Sequence, residues 1–224
     1  ASTANYSGWS SYLEYSSAAT NGLYYTSVEE ALADNNNNTT SSVNIYVSEL
    51  DLTDTSYEGT LVITEDLTVT FAEGTTPAWT VASGKEGHEV GYTESVANGV
   101  VTRVYTSFIP VAKVGDTYYA TLEDAIAAAT SSNAIIVLKD IEASEVILIN
   151  KTLTIKGDGH KITSSANRIF RVTESNINVT LEDVNMVSSA VVQYPNDIRG
   201  VSIDNETEKV KLGSVEADQI KWVI

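Results

Sequence analysis

The stretch IKGDGHKI, residues 155 to 162, sets an acid, an imidazole and an amine within four positions: Asp158, His160 and Lys161. These residue types suit general acid–base work, but that work needs groups that converge on one point with opposed pKa values. Neighbours on a glycine-flanked turn splay outward instead. The stretch therefore reads as a turn in which Gly157 and Gly159 let the backbone bend sharply and Asp158 suits the same geometry. A second group is basic. RIFRVTESNINVTLED (168 to 183) superposes on RGVSIDNETEKVKLGS (199 to 214) at a constant offset of 31, which sets Arg168 over Arg199. The nearby acids do not repeat, since Glu182 and Asp183 fall on Gly213 and Ser214. A calcium site needs about six to eight oxygens, and no Asp-x-Asp-x-Asp run supplies them. A third group is aromatic: Tyr6, Trp9, Tyr12, Tyr15, Tyr24 and Tyr25. Aromatic faces stack on sugar rings, but a spacing of three suits one side of a helix packed on the body. Packing is the favoured reading because the second copy keeps its pair Tyr118 and Tyr119 inside the repeat. Trp9, Tyr12, Arg168 and Arg199 are thus the candidate ligand contacts, and no catalytic residue is assigned.

Composition narrows the partners. Thirteen Lys and Arg against 30 Asp and Glu leave a net charge of −17, a field that repels polyanions. Nucleic acid and anionic membrane surfaces are therefore poor partners. The chain has no cysteine and two histidines, which excludes disulfides, thiolate metal sites and a His-rich metal cluster. No metal or other cofactor is expected. No stretch approaches the roughly 20 apolar residues that span a bilayer, and residues 1 to 20 lack a basic start and an apolar core. The expectation is a mature or trimmed soluble monomer without membrane insertion. Its Ser, Thr, Asn and Tyr richness resembles that of secreted bacterial surface proteins.

The elements that must carry these residues are legible as a repeat. YYTSVEEALA (24 to 33) returns as YYATLEDAIA (118 to 127) at an offset of 94. Each copy starts a helix with an N-cap residue followed three positions later by an acid: Ser27 with Glu30, and the weaker Thr121 with Asp124. Apolar residues follow at helical spacing, Val28, Ala31 and Leu32 in one copy and Leu122, Ala125, Ile126 and Ala129 in the other. Helices this short, about nine or ten residues, fall below the roughly 12 to 15 needed for marginal stability in water, so each must dock on something. VNIYV (43 to 47) matches AIIVL (134 to 138) as a buried strand, and LVITEDLTVT (61 to 70) aligns without a gap on ILINKTLTIK (147 to 156) at an offset of 86. Later strands return at long intervals: Leu153 and Ile155 lie 26 residues before Val179 and Leu181, which lie 31 before Val210 and Leu212. Short strands that return to one lateral position with alternating inward residues describe a coiled parallel sheet. The fold expected is mainly β, with parallel β-helix-like coils, short capping helices and a duplicated unit; a β-sandwich is the rival. The first module, 1–110, closes in a hairpin near 94–108 around Asn98-Gly99, and the second, 111–224, carries the coils.

VGDTYYATLEDAIAAA, AIIVLKDI, VILINKTLTIKGDGHKI and VTLEDVNM together resemble the opening of right-handed parallel β-helix domains of the pectate-lyase-like kind, found in bacterial extracellular and adhesin-type surface proteins. The likeness covers 111–224 well and 21–75 in part. It implies a leading helix that caps the first coil, where an open end would expose apolar side chains and unpaired strand groups. The duplicated unit, the acidic surface and the missing catalytic constellation favour a non-enzymatic extracellular module, adhesin-like, that presents a binding surface to a glycan or to a host or matrix protein. The alternative is a fragment of a β-helix polysaccharide lyase or glycoside hydrolase.

Overall fold

The computed structural model describes residues 16–35, 42–189, 199–203, 209–212 and 215–218. The chain falls into two compact units, Ala1–Ile109 and Pro110–Ile224, each with its own apolar core.

The first unit runs β1 (Ala18–Thr20), β2 (Leu23–Tyr25), α1 (Val28–Asn35), β3 (Ser42–Ile45), β4 (Glu49–Asp51), β5 (Gly59–Ile63), β6 (Leu67–Ala72), β7 (Trp79–Ser83), β8 (Glu89–Ala97) and β9 (Val100–Phe108). Strands β3, β5 and β7 stack in parallel, with Val43 beside Leu61 and Leu61 beside Val81. Strand β4 stacks in parallel on β6, and β6 then pairs antiparallel with β9, the inner arm of the closing hairpin. Alternation does the packing: along β6, Leu67, Val69 and Phe71 point inward and are buried, while Thr68, Thr70 and Ala72 are half-buried. Helix α1 turns Val28, Ala31 and Leu32 into this core.

The second unit begins the same way, with β10 (Ala112–Val114), β11 (Thr117–Tyr119) and α2 (Leu122–Ala128). It continues through β12 (Ile135–Val137), β13 (Ile141–Ala143), β14 (Ile147–Ile149), β15 (Leu153–Lys156), β16 (Lys161–Ser164), β17 (Arg168–Val172), β18 (Asn178–Glu182), β19 (Val184–Ser188), β20 (Arg199–Ile203), β21 (Lys209–Leu212) and β22 (Val215–Asp218). These strands form three parallel ladders, β12-β15-β18-β21, β13-β16-β19-β22 and β14-β17-β20, so each complete coil has three strand-bearing sides. Parallel stacking excludes the β-sandwich, whose sheets would be antiparallel. The molecule is a β-solenoid, and the sequence offsets are its registers: Leu153 pairs with Val179 and Ile155 with Leu181, Val179 with Val210, and Phe170 with Val201.

Three expectations need correction. Each helix is preceded by a short hairpin that the repeat motif had truncated: β1 and β2 turn at Asn21-Gly22, β10 and β11 at Gly115-Asp116, and β1 and β10 then pair antiparallel with β3 and β12. The tyrosine pairs that open the motif are therefore strand residues. The two caps also rank in reverse. Asp124 N–H donates to Thr121 Oγ1 at 3.1 Å, whereas Glu30 N–H reaches Ser27 Oγ at 3.4 Å. Finally, the alignment at offset 86 joins different sides of the coil. Leu61 stacks on the strand that follows α1 and so matches Ile155, which stacks on the strand that follows α2; Ile147 opens the third ladder. The first unit builds no such ladder among its described residues, and loops 52–58 and 73–78 occupy that stretch of chain.

Candidate functional site

The four sequence-derived contacts fall partly outside the described residues. Trp9 and Tyr12 lie outside the described residues. Arg168 and Arg199 are in-register neighbours on β17 and β20, as the offset requires. The Arg168 guanidinium donates through Nε to Asn167 Oδ1 at 3.3 Å.

Residues 157–160 form a turn in which two different constraints act. Asp158 and Gly159 carry the positive φ values, 52° and 79°, and Gly157 does not. Gly157 is fixed by crowding instead: its N–H donates to Glu182 O at 2.8 Å, and a Cβ there would lie 2.0 Å from Asp183 O in the next coil. Asp140, one coil earlier, accepts from Lys161 N–H at 2.9 Å and sits 3.4 Å from His160 Nδ1. The Lys161 N–H first, and then the His160 ring, hold its carboxyl below the usual carboxylate range against slight desolvation. Asp140, the His160 ring and the Lys161 N–H thus tie successive coils together, while the Asp158 and Lys161 side chains are exposed.

A different feature forms where the first unit lacks its third ladder. Loops 52–58 and 73–78 enclose an open cleft of ≈ 340 Å³. It is lined by residues 52–58 of the first loop, among them Thr53, Asp54, Thr55, Ser56, Tyr57 and Glu58, and by Thr75, Thr76 and Trp79 on the other side. Both walls are held from behind. Asp51, at the base of the first loop, accepts from Thr53 N–H at 2.9 Å, from the Thr53 hydroxyl and from Thr70 Oγ1 at 3.1 Å. The Thr53 hydroxyl and N–H, with lesser help from Thr70, keep the Asp51 carboxyl below its ordinary pKa. Tyr57 is fixed by a buried chain in which Asn35 Nδ2 donates to Tyr57 Oη at 2.8 Å while Thr20 Oγ1 donates toward Asn35 Oδ1 at 3.1 Å and Ser42 O at 3.0 Å. Trp79 stands edge-on to Phe71, ring centres 5.3 Å apart at 83°, and is 7% exposed; its indole N–H is buried without a hydrogen-bond partner. Such a site can present hydroxyl and carboxylate acceptors, hydroxyl donors and an aromatic edge to a small polar ligand. Among the described residues, no group of three or more His, Asp or Glu could hold a metal ion.

Sequence reasoning passed over these residues because DLTDTSYEG and AEGTTPAW read as ordinary polar breaks between strands. The available signal was positional: two polar runs, one coil apart, flank the β5–β6 pair, and the second runs into a tryptophan. The chain has no significant match among protein-family models, curated proteins or solved structures.

Proposed function

We propose that the protein is a non-enzymatic extracellular module of the pectate-lyase-like kind, carried at a bacterial cell surface, and that it binds neutral glycans in the cleft between loops 52–58 and 73–78. The cleft carries the reading: five Ser and Thr residues, Asp54 and Glu58, with Tyr57 and Trp79, line a volume of ≈ 340 Å³, the scale of small-ligand sites. Carboxylates accept paired hydroxyl donors from a sugar. The same carboxylates, in a chain of net charge −17, disfavour uronate polymers. Neutral oligosaccharides rather than acidic ones are therefore the expected ligands.

Calorimetric titration across neutral and uronate oligosaccharides tests this. Binding of a neutral sugar should weaken at least about tenfold in Asp54→Ala, a loss of about 1.4 kcal/mol, and stay unchanged in Trp9→Ala. Binding that tracks Trp9 or Arg199 would move the site to the sequence-derived contacts. Release of unsaturated or reducing ends from uronate polymers, with or without calcium, would favour the lyase or hydrolase reading instead.

A further inference from the structure

The sheet β4-β6-β9-β8 ends in two unlike edges. One is β4, three residues long and bounded by Glu49 and Asp51, which is the short, charged kind of edge that resists pairing. The other is β8, nine residues long, without Lys, Arg or Pro, and paired on one side with β9 among the described residues. Its surface is apolar for an edge: Tyr92 is 54% and Val96 51% exposed. Of its two acids, Glu94 is already neutralised by Arg103 at 2.7 Å, and the Arg103 guanidinium is stacked 4.5 Å over the Tyr92 ring.

The geometry says which groups are free. Asn98 and Gly99, with φ of 53° and 76°, close a two-residue hairpin whose flanking pair, Ala97 and Val100, is hydrogen-bonded. Counting back by twos from Ala97, alternate residues bond β9, so Val90, Tyr92, Glu94 and Val96 direct their N–H and C=O groups to the open side. These four are self-complementary about Thr93. A second copy of β8 laid antiparallel across a two-fold axis at Thr93 would set Val90 beside Val96 and Tyr92 beside Glu94, and would complete roughly eight backbone hydrogen bonds. Centring on Glu94 would set the two Glu94 side chains face to face, and centring on Tyr92 would leave Val96 beside His88, beyond the strand. We infer that β8 is an isologous interface: two copies of this chain join edge to edge through Val90–Val96 with Thr93 on the axis. This departs from the monomer expected on composition, and it stands independently of any glycan in the cleft.

Because the chain has no cysteine, Thr93→Cys is a clean reporter. Facing Cα atoms of a non-bonded antiparallel pair lie about 4.5 Å apart, within disulfide reach. Under mild oxidation this variant should give a disulfide-linked dimer much faster than Glu65→Cys, which is exposed on a separate turn. Sedimentation velocity of the unmodified chain should show a coefficient that rises with concentration. Thr93→Lys, which sets two ammonium groups face to face while leaving the β9 ladder intact, should weaken association at least about tenfold. Circular dichroism of Thr93→Lys would verify that the hairpin remains folded. Association that ignores Thr93→Lys, or Thr93→Cys cross-linking no faster than Glu65→Cys, would overturn the interface; so would a monomer at every concentration.

Discussion

At the end of α1, Asn35 is fully buried and joined by hydrogen bonds to Thr20 and Tyr57. Ninety-four positions on, the equivalents of Thr20 and Asn35 are Val114 and Ala129, both buried in an apolar core, and the last carbonyls of α2 are met from outside by Lys151 Nζ, 2.6 Å from Ala127 O and 3.3 Å from Ala129 O. The same helix-on-coil joint is thus made once with a polar chain and once with packing plus a surface cation. The polar version is not needed to seat the helix, since the apolar version does so. What it adds is a fixed Tyr57, and Tyr57 stands in the wall of the cleft. In the second unit the chain following β13 continues into β14 and its ladder, and there is no loop there to brace. The difference locates where the molecule spends hydrogen bonds on a site and where on stacking alone.

The largest effect should come from the tightest contact of the second unit. Gly157→Ala drives a Cβ into Asp183 O, a backbone atom that no rotamer change can move aside, and should destabilise that unit by about 3 kcal/mol. Gly84→Ala in the first unit meets the mobile methyls of Thr64 and Val62 at 3.0 and 3.2 Å and should cost about 1 kcal/mol. Urea unfolding followed by near-ultraviolet dichroism compares the two; equal losses would mean that the coil corners are softer than their geometry.

Asn35→Ala alone should cost about 1–3 kcal/mol by removing the donor that the buried Tyr57 hydroxyl accepts from. The triple change Thr20→Val, Asn35→Ala and Tyr57→Phe, which imports the second unit's apolar solution, should recover most of that loss in the same measurement. If the triple variant is no better than the single one, the polar chain does more than satisfy itself.

Alkaline pH probes the same region from another side. Burial, a 2.8 Å hydrogen bond to Asp34 and the negative charges of Asp34 and Glu30 push Tyr25 up to about 12 from an ordinary value near 10. The folded state therefore binds this proton more tightly than the unfolded chain. Its stabilisation is complete below about pH 10 and fades as pH rises from there to about 12. Thermal unfolding between those pH values should fall more steeply for the natural chain than for Tyr25→Phe. The smallest effect is expected from Lys151→Met, about 0.5–1 kcal/mol, through the exposed carbonyls at the end of α2. High salt should shrink the loss if charge rather than packing is responsible.

The sequence disclosed the ladders because inward positions must alternate and must return to the same place in every coil. Val179, Leu181, Val210 and Leu212 therefore announced their own register. The leading hairpins escaped notice because strands of three residues carry too little alternation to register as strands, although Ala18 to Tyr25 matches Ala112 to Tyr119 at the helix offset. The mispairing of Leu61 with Ile147 has a related cause. Any apolar strand, polar break and apolar strand resembles any other, and the missing third ladder could not be seen until the strands were paired. The cleft was hidden for the same reason, since it is made of two loops brought together by stacking, and neither is distinctive alone.

Successive coils of the second unit differ in length while their rungs stay aligned. Ile135 to Ile155 takes 20 positions, Ile155 to Leu181 takes 26 and Leu181 to Leu212 takes 31. Register is thus insulated from corner length, because each strand docks on the one beneath it whatever the chain does in between. Such a chain can accept insertions and deletions at its corners as nearly free variation while its core stays under strict selection. Relatives of this protein should accordingly differ most in loop size and least in rung pattern, and new segments grafted at the corners should leave the scaffold beneath them unchanged.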